Sequence, residues 1–231
     1  MNKHRETAYA LLRVTLGVIF LFYGIGKFMG GVGLFADGMN QRFAGKMIAI
    51  ARYRIDASQS RFMVRAFSGG LLWFKGHDHF IKIGDFSGQI QFTPSLIAAA
   101  SLELRVRADS LEETRDVFTP QQKGIINKEL REIVLETSKY PEIVFKSTDV
   151  TGRLAASQYE AKIGGDLTLH GVTRHIVIPA QVTLDGGGLR ARGEFTVNRG
   201  DYNVKATSAA KGTVRVRDKL KFTFDIVAHP I

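Results

Sequence analysis

The sequence has no cysteine. That excludes a disulfide framework and any thiolate metal site, while leaving the compartment open. It also has no clustered run of lysine or arginine, although the formal net charge is +10. The basic residues mostly alternate with apolar ones, the pattern of solvated outer faces of strands, so no nucleic-acid partner is expected. Neither a glycine-rich nucleotide loop nor a nucleophile-elbow pattern occurs. Without a serine or threonine set beside a base, nucleophilic catalysis has no candidate. The expectation is a protein that is not an enzyme and carries no cofactor.

What is present suits a fold built from strands. The 231 residues are 45% hydrophobic, enough for one large all-β domain and an appendage. The appendage is residues 1–46, whose six Lys/Arg and two acids give +4 and leave +6 for the remainder. Residues 8–26 are apolar apart from Arg13 and Thr15, and as a helix they would rise about 28 Å, enough for a bilayer core. Arg13 lies near one end, from which it can snorkel to the interface. The expectation is therefore a membrane-associated protein anchored through residues 8–26. A secretory signal starting at Lys3 and Arg5 is the rival reading; its weakness is that no convincing small-x-small site follows the apolar run, Ala49-Ile50-Ala51 coming too late. A buried soluble helix is the blander one. Met47 offers a second start, which would leave residues 1–46 as a fusion remnant and the protein cytoplasmic.

From Tyr53 onward the apolar period is two. The stretch from Ile163 to Ile178 organises it: Ile163, Leu167 and Leu169, then Ile176 and Ile178, flank a reversal at His170-Gly171-Val172-Thr173. Further strands are read at Arg61–Phe67, at Ile81–Phe92 with a bend near Asp85 and Gly88, and at Leu102–Val106. Ile126, Leu130, Ile133 and Val134 fall on one helical face, closed by Pro141. Ile143-Val144-Phe145 resumes strand. Asp185 to Gly188 makes a second hairpin turn, and Arg217-Asp218 is read as a third, before Leu220, Phe222, Phe224 and Ile226. About eight or nine sequential strands with turns between them predict an antiparallel barrel or sandwich.

Two stretches resemble known families. Leu11 to Phe28, with Arg13, Gly17 and the run Gly24-Ile25-Gly26-Lys27, is similar to the first transmembrane helix of DoxX-type membrane proteins; the other helices of that family are absent. Residues 52–231 resemble the YceI-like, lipocalin-like domain of polyisoprenoid-binding proteins. The matching residues are Tyr53-Arg54-Ile55-Asp56 with Ser60 and Phe62; Phe86-Ser87-Gly88; Asp109-Ser110-Leu111; Tyr140-Pro141-Glu142-Ile143-Val144-Phe145; and Leu167 to Arg174. The resemblance implies an extended antiparallel barrel of about eight strands with one α-helix, holding an isoprenoid or similar amphiphile. It also implies a periplasmic barrel. Gly76-His77-Asp78-His79 looks like a variant branch often found without a secretion signal, a departure from that address.

The tunnel-lining candidates are Phe62, Phe86, Leu104, Phe145, Leu167, Phe195 and Phe224. Parity alone fits a filled core equally well. His77, His79 and His170 are weak metal candidates, since residues two apart on a strand point the same way; the plainer reading is a hydrogen-bonded turn with exposed imidazoles. Glu112 and Glu113 are read as solvated, and Arg115, Lys123 and Lys128 as surface charge. The partners expected are one long-chain lipid and the membrane, with a homodimer as a further candidate. Burying a methylene contributes roughly 0.8 kcal/mol, against about 4–15 kcal/mol for association. A tail of about twenty carbons gains about 16 kcal/mol gross, so long chains are favoured.

Overall fold

Strand β1, Ala51–Gly69, is the staff around which the sheet is wound. In the computed structural model, which describes residues 50–70, 76–94, 96–206, 208–209 and 214–231, these belong to one unit spanning Ile50–Ile231. The remaining strands are β2 (His79–Ile83), β3 (Phe86–Phe92), β4 (Ser101–Arg107), β5 (Leu111–Glu113), β6 (Glu142–Ala155), β7 (Gln158–Leu169), β8 (Val172–Asp185), β9 (Gly188–Asn198), β10 (Ser208–Ala209) and β11 (Val214–Pro230). Every pairing is antiparallel. The order β1–β3–β4–β6–β7–β8–β9–β11 closes on itself because β11 pairs back to β1, with Phe62 opposite Phe224. The result is an eight-strand barrel, as the sequence predicts.

The bend expected near Asp85 and Gly88 within a single strand, Ile81–Phe92, is a full break at Gly84-Asp85 that makes two strands of it. β1 pairs with β3 along Ala51–Arg54 and with β2 along Met63–Ala66, and Gly84-Asp85 joins the two. β4 and β5 are divided at the same height by a short 3-10 turn, Ala108–Ser110. The Ser110 hydroxyl ties the two breaks together: it accepts from the Asp85 N–H at 3.0 Å and donates to the Arg107 carbonyl at 2.6 Å. Beyond the break β5 pairs only with β2 among the described residues. Its open side is met by a helix, the Glu113 N–H donating to the Asn127 side-chain oxygen at 2.7 Å.

That helix, α1, spans Pro120–Glu129. Thr119 caps it in a reciprocal box with Gln122, and Pro120 occupies the first turn, where its missing N–H costs nothing. A π-helical turn follows, Leu130–Val134, with the Leu135 N–H reaching the Leu130 carbonyl at 2.9 Å. The wider turn shifts the helical phase. Ile133, expected on the inner face, is instead 49% exposed, and Leu135 takes the buried place.

Two further expectations are corrected. The β7–β8 reversal is a two-residue turn, His170-Gly171, both with positive φ; Val172 and Thr173 already belong to β8 and pair with Leu169 and Thr168. Arg217-Asp218 is not a turn. β11 runs through it as one strand, with a register shift against β1 between Ala66 and Ser68. The Asp218 carboxylate accepts from the Gly200 N–H at 2.9 Å, and Arg217 donates to the Ser68 carbonyl at 2.7 Å. Polar residues that mimic a turn in sequence here stabilise a bulge. The readings made on residues 1–46, on Met47 and on the apolar run 71–74 lie outside the described residues. Among the described residues no helix is long and apolar enough to cross a membrane.

Candidate functional site: an axial cavity

The barrel is hollow. A cavity of about 720 Å³ runs through its interior, lined almost wholly by apolar side chains from the barrel strands and the helical segment. Alternation along β11 supplies one wall: Leu220, Phe222, Phe224 and Ile226 all face it. Phe195 stacks on Phe222 with ring centroids 4.8 Å apart, and Phe62 meets Phe222 and Phe224 at 6.3 and 6.4 Å. Gly193, opposite Phe224, leaves room for that ring: a Cβ there would lie 2.6 Å from Phe224 Cζ.

Of the seven residues singled out from the sequence, Phe62, Leu104, Phe145, Leu167, Phe195 and Phe224 line the cavity. Phe86 does not. It is 4% exposed and stands edge-on to Phe62 at 5.9 Å, beside the break between β2 and β3, so its ring backs the wall instead of facing the void. The period-two pattern could not reveal what the helical segment adds: Ile126, Leu130, Val134 and Leu135 all face the cavity.

The two ends differ. At one end Phe92 and Tyr159 meet edge to face at 5.0 Å, and the 3-10 turn Ile97–Ala99 packs nearby against β6. At the other, where β1 and β9 end and β2 and β11 begin, the lining turns polar: His77, His79, Arg199, Lys205 and Arg215 join Phe118. The sequence reading missed these three cations. Arg115, Lys123 and Lys128, considered there, are not on the lining; Arg115 donates to the Asp78 carbonyl at 2.7 Å and Lys123 to the Thr114 carbonyl at 3.1 Å.

The histidines do not converge. His79 stacks on Phe118 at 5.4 Å and its Nδ1 lies 2.8 Å from the Glu113 carboxylate. His77 meets Phe118 edge to face. His170 is buried, contrary to the exposed imidazole expected: its Nε2 lies 2.7 Å from Glu136, and the Tyr140 ring covers it at 4.3 Å. Among the described residues no three histidine or carboxylate side chains gather around a metal position.

Glu113, read as solvated, is 4% exposed. Alternation on β5 turns Glu112 outward and Glu113 inward. Burial pushes its carboxyl up, but the His79 side chain and the N–H groups of Arg115 and Phe80 outweigh it and hold it below the usual glutamate range. An ionised carboxylate only accepts, which places a proton on His79 Nδ1.

The described barrel can be set beside known proteins. The family model described as the YceI-like domain matches residues 53–228. A UPF0312 protein of Pseudomonas fluorescens is 34% identical over 129 residues, 51% of this chain and 60% of that protein, so the match spans less than two thirds of its length. Protein YceI of Escherichia coli is 29% identical over 170 residues, 70% of this chain and 80% of its own. Among solved structures, BcnA of Burkholderia cenocepacia superposes with a TM-score of 0.59 at 18% identity, covering 75% of this chain and 98% of BcnA. A polyisoprenoid binding domain from Saccharophagus degradans, implicated in plant cell wall breakdown, gives 0.51 at 13% identity, covering 79% and 100%. At such identities the likeness is one of fold.

Proposed function

Since this chain belongs to the YceI-like family, we propose that its barrel binds one long-chain isoprenoid or comparable single-tailed lipid along its axis, and stores or carries it without changing it chemically. The observation that carries this reading is the continuous apolar cavity of about 720 Å³, a volume within the usual range of about 300–1,000 Å³ for ligand sites. A solid barrel, the rival reading, would have closed that space with side chains. The polyisoprenoid named for the Saccharophagus domain indicates the class of guest.

Length refines the class. Val216 and Ile226 on β11 both face the cavity. Ten residue steps at about 3.3 Å each span about 33 Å of strand. A strand tilt of about 40° reduces that to roughly 25 Å along the barrel axis. An extended hydrocarbon advances about 1.25 Å per bond, so the cavity matches about twenty main-chain carbons. Phe62, Leu104, Phe145, Leu167, Phe195 and Phe224 are the side chains proposed to touch the tail. Shorter tails gain too little to offset association.

The test is mass spectrometry of organic extracts from the purified full-length chain, with binding of prenols from ten to forty carbons. The expected result is one lipid per chain and an affinity that climbs steeply up to about twenty carbons. A chain that purifies empty and ignores tail length would overturn the proposal.

A further inference from the structure

The polar end of the cavity holds an imbalance that an alkyl chain does not explain. Arg199, Lys205 and Arg215 all border it, and among the described lining residues the only carboxylate is Glu129 on α1. The three cations share one end because of topology. β9 closes at Asn198 opposite Lys219 of β11, Arg199 opens the 3-10 turn that follows, and Arg215 sits at the start of β11. The Val204 N–H donates to the Arg199 carbonyl at 3.1 Å, which brings Lys205 back to the same rim.

Elsewhere on the barrel, arginines facing carboxylates are paired: Arg190 and Arg192 with Asp225, Arg105 with Glu103 and Glu142, Arg153 with Glu160. Among the described residues no carboxylate pairs with Arg199, Lys205 or Arg215. Arg199 is moreover fixed in place, its Nη1 donating to the Val204 carbonyl at 2.8 Å. Its Nε is buried and has no hydrogen-bond partner. A buried guanidinium N–H left unmatched is costly, and an oxyanion is the acceptor that suits a guanidinium best.

We infer that the guest is an anionic single-tailed lipid whose phosphate or carboxylate sits at the rim, held by Arg199, Lys205 and Arg215, with its tail running toward Phe92 and Tyr159. This rests on the lipid-binding reading above and adds the headgroup to it. Among the described residues the opposite rim is lined by aromatic and aliphatic groups with no cation among them, so the guest enters the cavity in one direction.

The experiment compares four probes on the delipidated full-length chain: geranylgeranyl monophosphate, geranylgeraniol, a twenty-carbon fatty acid and the matching fatty alcohol. The expected result is that at low salt the anions bind about tenfold or more tighter than the alcohols, with the gap narrowing as salt rises. The phosphate and acid arms report which oxyanion is preferred. Lys205→Gln with Arg215→Gln, both at exposed positions, should shrink the gap by weakening the anions more than the alcohols; Arg199→Gln should shrink it further. Because Arg199 also holds Val204, the exposed pair keeps the test valid if Arg199→Gln fails to fold. Equal binding of anions and alcohols, unmoved by the exposed pair, overturns the headgroup inference alone. Binding of none of the four overturns the lipid-binding reading as well.

Discussion

Asp56 accepts from the Ser58 N–H and hydroxyl and from the Gln59 side chain, at 2.9, 2.6 and 2.9 Å. The Ser58 hydroxyl is the chief reason its carboxyl is held below the usual range. Ser60, four residues on, accepts from the Val227 N–H at 2.9 Å and so heals the register shift between β1 and β11. Ser110 does the same at the second break, and the Pro141 carbonyl accepts from the Ala108 N–H at 2.9 Å. Gly171 leaves room for Tyr140, whose ring lies 2.6 Å from where a Cβ would stand. Asp56, Ser60, Ser110, Tyr140, Pro141 and Gly171 are among the residues through which the family was legible in the sequence, and these six serve bends in the wall. The cavity was less legible, because an inward phenylalanine reads alike whether it meets another side chain or a void. At this scale Tyr202 offers a test. It is 1% exposed and its hydroxyl has no partner; burial, then the nearby Asp201 charge, pushes its phenol up. An unmatched buried hydroxyl costs about 1–3 kcal/mol. Tyr202→Phe should therefore stabilise the fold by about 1 kcal/mol, read as a higher urea midpoint; a drop would mean that the hydroxyl is hydrogen-bonded after all.

Among the elements, the helical segment does what the strands cannot. β5 is three residues long and has no strand on its far side among the described residues, so α1 and the π turn complete the wall. The face Ile126, Leu130 and Val134 was visible in the sequence as a helical period, but the extra residue of the π turn, which moved Ile133 out and Leu135 in, carries no apolar signature. Glu112 is exposed as read, but Glu113 was misread for a related reason: three residues are too few for alternation to register. Glu113 fastens β5 to β2 through the Phe80 N–H and to the chain entering α1 through the Arg115 N–H. Because its folded pKa lies below its unfolded one, its contribution is complete above the ordinary glutamate value of about 4.3 and fades as pH falls toward the lower folded value. Glu113→Gln should lower stability at pH 7 by about 1–3 kcal/mol and flatten the loss seen on acidification below about pH 4.3, both measurable by urea unfolding across pH. An unchanged acid limb would show that this joint is not where the protons are taken up.

For the molecule as a whole, hollowness makes an unusual forecast. In a filled core, a small-to-large substitution costs about 1–3 kcal/mol through overpacking. Ala191 faces the cavity between Val182 and Ile226. Ala191→Phe should leave thermal stability within about 1 kcal/mol and yet cut binding of twenty-carbon tails far more than that of ten-carbon ones. A large loss of stability with binding intact would mean that the space is filled in solution.

The closure of β11 onto β1 also settles how the sheet meets its neighbours. A ladder with two loose margins invites recruitment of foreign backbone. Among the described residues the hoop is closed, and the strands at the two ends of the ladder, β5 and β10, are three and two residues long. A sister molecule therefore finds almost no backbone to zip onto unless the seam between first and last strands tears, so the seam guards against fibre growth even when the vessel stands empty.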